Sequence, residues 1–103
     1  MWNIEKPYNI LIVDDEQGIC EILKEHILDR FDPNVRVFTT VDSTAVNDLV
    51  LANKINIVIC DIMMPNVSGD ELLLSIKEQF KNVQIIMLTG DSTYGALMSS
   101  YYA

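Results

Sequence analysis

Four short apolar runs punctuate the chain, at residues 9–13, 35–39, 55–60 and 83–88. Each has the length of a strand and is rich in β-branched residues, which pack well on a pleated surface. The first, third and fourth are nearly continuous in hydrophobicity, as expected of strands covered on both faces, whereas the second alternates like an edge strand. Between the runs, apolar residues recur at spacings of three and four. The sets are Ile19, Ile22, Leu23 and Ile27, then Val46, Leu49 and Val50, then Leu72, Leu73, Ile76 and Phe80. Each set predicts a helix that buries one stripe. Asp42 stands where an N-cap belongs, and Ser68 followed three residues later by Glu71 has the form of a capping box, so Gly69 is expected to open the third helix.

The resulting order, β-α-β-α-β-α-β, predicts a doubly wound α/β domain with a parallel sheet and helices on both faces. A chain of 103 residues has room for one such core and not for two. Half of the residues are hydrophobic and 21% are charged, a globular composition. The net charge of −8 opposes binding to nucleic acid or to an anionic membrane surface. Cys20 and Cys60 have no Cys or His at ligand spacing and read as reduced core residues. With no apolar leader at the N-terminus and no apolar stretch of membrane-spanning length, a cytoplasmic location is expected.

Side chains just past the carboxyl ends of strands in such a sheet gather in one crevice, where the strand order reverses. The first strand runs into Asp14, Asp15 and Glu16, the third into Asp61, and the fourth into Thr89. Carboxylates delivered to one rim repel each other unless a cation lies between them, and an oxygen-only donor set suits magnesium. Asp14, Asp15 and Glu16 would also favour the start of the first helix, but that reading leaves Asp61 and Thr89 unexplained. Asp61 is placed to act as a carboxylate nucleophile toward a phosphoryl group, with Thr89 near enough to bond a phosphoryl oxygen and Met63 offering its main-chain carbonyl to the metal. Pro65 and Gly69 shape the loop from strand tip to helix.

VDDE at 13–16, the pattern D-x-x-M-P-x-x-S-G at 61–69 and LTG at 88–90 together resemble the receiver domain of bacterial two-component response regulators. The resemblance implies a flavodoxin-like sheet of order 2-1-3-4. It implies that Asp61 accepts a phosphoryl group from a sensor histidine kinase or phosphotransfer protein, that Asp15 binds Mg2+ directly and that Asp14 does so through water. It gives Met63 and Asp91 positions that flank the phosphoryl group. A receiver of this kind transfers phosphate only to itself and is not counted an enzyme. The family's fifth strand, with its lysine, and its fifth helix have no counterpart after Asp91, so the domain at 1–103 is read as incomplete at its C-terminus. From this follow two further expectations: an open edge on the fourth strand, with lost cover over Ile10 and Ile12, and a homodimer or larger assembly that repairs them. A pseudo-receiver that only binds proteins is the alternative. A phosphatase of the haloacid dehalogenase type is disfavoured because its D-x-D pair belongs on the first strand tip.

Overall fold

A computed structural model describes residues 8–30, 34–61, 69–88 and 100–102. Their order is β1 (Tyr8–Val13), α1 (Gln17–Arg30), β2 (Val35–Thr40), α2 (Val46–Asn53), β3 (Ile57–Asp61), α3 (Gly69–Gln79), β4 (Gln84–Leu88) and β5 (Ser100–Tyr102). A single 3-10 turn at Ser43–Ala45 leads into α2, and Asp42 caps it by accepting from the Thr44 N–H. Gly69 opens α3, as its place after Ser68 suggested.

The sheet order is β2-β1-β3-β4-β5. The first four strands are parallel, which bears out the doubly wound 2-1-3-4 arrangement. Two cores lie on the two faces of this sheet. On one, Leu11, Val13, Val58, Cys60, Ile85 and Met87 pack against Val46 and Val50 of α2 and Leu72 and Ile76 of α3. On the other, Ile10, Ile12, Val37 and Ile57 pack against Cys20, Leu23 and Ile27 of α1. Alternation along each inner strand sends successive side chains to opposite cores, which is why β1 and β3 read as unbroken apolar runs.

Three expectations are corrected here. The buried face of α1 centres on Cys20, while Ile19 and Ile22 are 38% and 53% exposed. The apolar arc of this helix is wider than the stripe the sheet covers, and the sheet meets its Cys20–Leu23–Ile27 edge. The far edge of β4 is not open: β5 pairs with it antiparallel, setting Leu88 against Ser100 and Ile86 against Tyr102. The C-terminal residues thus supply in the same chain the hydrogen-bonding partners that an edge strand lacks. Finally, Ile10 and Ile12 remain buried, and it is Ile59 of β3 and Ile86 of β4 that are only half-buried on that face.

At the amino-terminal rim the strand starts are tied by amides. Asn9 N–H donates to Asn56 Oδ1 at 2.8 Å, and Asn56 N–H donates back to the Asn9 carbonyl at 2.8 Å. Asn9 Nδ2 donates to the carbonyls of Asn53 and Lys54 at the end of α2, while Gln84 N–H donates to the Asn56 carbonyl. These contacts hold β1, β3 and β4 in the register that aligns their carboxyl ends.

Candidate functional site

The strand order reverses between β1 and β3, whose carboxyl ends form the crevice expected of such sheets. Val13 pairs with Cys60, so the next residue on each strand, Asp14 and Asp61, emerges side by side. Asp61 is itself still paired, with Leu88 of β4. Asp14, Asp15 and Asp61 each bring a carboxylate oxygen within 4.8 Å of the others. Three of the residues singled out from the sequence are therefore brought together. Glu16 is exposed and lies outside this cluster; its carbonyl accepts the Ile19 and Cys20 N–H groups at the start of α1. Met63 and Thr89, together with Pro65, Ser68 and Asp91, lie outside the described residues.

Asp14 carries two tasks. Its Oδ1 accepts the Glu16 N–H at 2.9 Å, which turns the chain into α1, and its own N–H donates to the Thr40 carbonyl at the end of β2. It is 7% exposed, whereas Asp15 is exposed and Asp61 half-buried. Burial pushes the Asp14 carboxyl above its ordinary range; the Glu16 N–H opposes this, and the charges of Asp61 and Asp15 add to it. A carboxylate desolvated beside like charges is stabilised by a cation at the same point. The all-oxygen donor set and the open rim fit a hard divalent ion that keeps part of its water, as magnesium does.

Both cysteines are free and buried, as their lack of ligand-spaced partners suggested. The structure adds that they lie directly beneath the acidic rim. Cys20 Sγ is 3.6 Å from the Asp14 carbonyl and 3.7 Å from that of Thr40, and Cys60 Sγ is 3.3 Å from the Asp61 carbonyl. Burial raises the Cys60 thiol to about 12, with Asp61 and Asp14 adding to the rise, and burial likewise raises Cys20. Both are neutral thiols at physiological pH. Adjacency to Asp61 hinted at the place of Cys60, but nothing in the local pattern marked Cys20.

Comparison with known proteins bears on this geometry. The model of the response regulator receiver domain matches residues 10–101. Response regulator SaeR of Staphylococcus aureus is 36% identical over 81 residues, which make up 79% of this chain and 34% of that protein. Stress response regulator protein 1 of Debaryomyces hansenii is 34% identical over 88 residues, 84% of this chain and 36% of that one. The chain thus spans about a third of the length of the curated relatives it matches. Among solved structures, response regulator TrrA of Thermotoga maritima in complex with Mg2+–BeF superposes with a TM-score of 0.73 at 32% identity, covering 88% of this chain and 76% of that one. With the parallel 2-1-3-4 sheet and the aspartates gathered at its switch point, these matches identify the chain as a member of the response regulator receiver domain family.

Proposed function

We propose that the domain receives a phosphoryl group on Asp61 from a phosphohistidine of a sensor histidine kinase or phosphotransfer protein, in a magnesium-dependent step. The observation that carries this reading is the convergence of Asp14, Asp15 and Asp61 within 4.8 Å at the strand switch point. An Asp61 carboxylate oxygen attacks phosphorus, the P–N bond breaks, and its electron pair stays on the imidazole of the donor. Asp15 and Asp61 would hold the metal directly, Asp14 would do so through water, and Met63, outside the described residues, would offer its carbonyl. Magnesium, when bound, neutralises charge on both the attacking carboxylate and the phosphoryl group. Thr89, also outside the described residues, would donate its hydroxyl to a phosphoryl oxygen. The setting is the cytoplasm, in keeping with the absence among described residues of any helix long and apolar enough to cross a membrane. A homodimer or larger assembly belongs to the same proposal, with β5 and not β4 as the outermost described strand.

One observation favours the pseudo-receiver reading. Of the seven Lys and Arg, Arg30, Arg36, Lys54, Lys77 and Lys81 lie at helix ends or strand starts on the rim opposite the aspartates, and Lys77 Nζ bonds the Val83 carbonyl there. Lys24 lies along α1, and Lys6 is outside the described residues. Incubation with acetyl phosphate and magnesium, borohydride trapping and mass spectrometry separate the two readings. Phosphoacceptance requires modification at Asp61 that disappears in Asp61→Asn. Labelling that survives this substitution overturns the assignment, and a wild-type protein that takes no label is a pseudo-receiver.

A further inference from the structure

The proposed phosphotransfer uses neither cysteine, yet each thiol touches the main chain of a site aspartate. Cys20 is completely buried on the α1 side of the sheet, and Cys60 is 1% exposed in the core on the other side. One thiol therefore approaches the rim from each face. Asp14 follows the last residue of β1, so its carbonyl lies past the strand ladder. Its N–H is tied to Thr40 and its Oδ1 to Glu16, and its carbonyl is a further point at which the orientation of the residue can be held. The Cys20 thiol reaches that carbonyl at 3.6 Å, its single proton being shared with the Thr40 carbonyl. On the other face Cys60 Sγ lies 3.3 Å from the carbonyl of Asp61, a residue that its pairing with Leu88 also holds.

We infer that Cys20 and Cys60 are positioning residues, each donating its S–H to the carbonyl oxygen of an aspartate and so holding that carboxylate toward the shared cation site. Alanine in place of either cysteine would remove the sulfur and leave the carbonyl without this donor. Groups one step removed from a metal orient its ligands and alter its affinity. The inference rests on the magnesium reading of the rim, and the test separates the two.

Magnesium affinity is measured by titration calorimetry on folded wild type, Cys20→Ala, Cys60→Ala and the corresponding Ser variants, with circular dichroism and thermal melting on each. Val46→Ala is the control, since Val46 is as deeply buried in the same core as Cys60. The Ala variants are expected to bind magnesium roughly three- to tenfold more weakly, a reduced version of the usual effect because S–H is a weak donor. The Ser variants should stay within about twofold of wild type, and Val46→Ala should melt lower yet bind magnesium like wild type. If an Ala variant does not fold, Thr and Val at the same position give a pair of equal shape in which only Thr can donate. Wild type that takes up no magnesium overturns the metal reading and this inference together. Wild type that binds, with Ala or Val variants binding equally well, overturns this inference alone, as does a loss of affinity in Val46→Ala matching theirs.

Discussion

Asp14 and Asp61 leave neighbouring parallel strands directly after the paired residues Val13 and Cys60, and their carboxylates meet within 4.8 Å. The sheet register alone brings these two like charges together. The fold therefore sets a repulsion at this rim that a cation bound there would turn into an attraction.

Replacing Asp14 by Asn keeps an acceptor for the Glu16 N–H but removes one of the opposed charges. In EDTA, Asp14→Asn is expected to unfold at higher urea than wild type. The gain should be on the order of 1–3 kcal/mol, the interaction of unit charges about 5 Å apart at an effective dielectric between that of water and ~20. If the proposed site binds magnesium, the order should narrow or reverse in excess magnesium, because only wild type keeps all three proposed carboxylates. Equal stability of the two proteins in EDTA would mean that the charges do not oppose each other.

The same carboxyl predicts a pH dependence. Its folded pKa lies above the ordinary 3.8, because of burial and the nearby Asp61 and Asp15. Such a group binds its proton more tightly in the folded state, so its contribution is fully present below 3.8 and is lost as pH rises through the raised value. The stability advantage of Asp14→Asn over wild type in EDTA should therefore shrink on acidification from neutral pH. Urea titrations of both proteins across the range measure it, and an advantage that grew on acidification would contradict the assigned direction.

At the opposite rim, Asn9→Ala removes the donor to the Asn53 and Lys54 carbonyls. A loss of about 1–3 kcal/mol is expected from leaving such groups unpaired. Because the change is a strand length away from the aspartates, magnesium affinity of the folded protein should stay unchanged. Chemical denaturation and calorimetry together check both halves.

The surface of α1 gives a contrast within one residue type. Ile22 is 53% exposed and Ile76 of α3 fully buried. Ile22→Ala should change stability by less than about 0.5 kcal/mol, while Ile76→Ala should cost about 2–5 kcal/mol. Thermal melts of the two variants would expose an error in the orientation of α1 if Ile22 proved as costly as Ile76.

Much of this was legible in the amino-acid order. Runs of β-branched residues marked the parallel strands, and i, i+3, i+4 spacing marked the three helices, because strand and helix periods are local consequences of backbone geometry. That Asp14, Asp15 and Asp61 would meet was legible because the carboxyl ends of parallel strands share one rim, so position at a strand end implies proximity in space. Tertiary structure decided matters that depend on which surfaces meet. Periodicity showed α1 to be apolar along one side, but only contact with the sheet selected Cys20 over Ile19 and Ile22 for burial. The antiparallel pairing of Ser100–Tyr102 with β4 joins segments with no shared local signal. Likewise Asp14 and Asp15 are neighbours of one residue type, yet one is buried and desolvated while the other is exposed. That difference is set by what packs above each side chain, and the order of residues along the chain does not encode it locally.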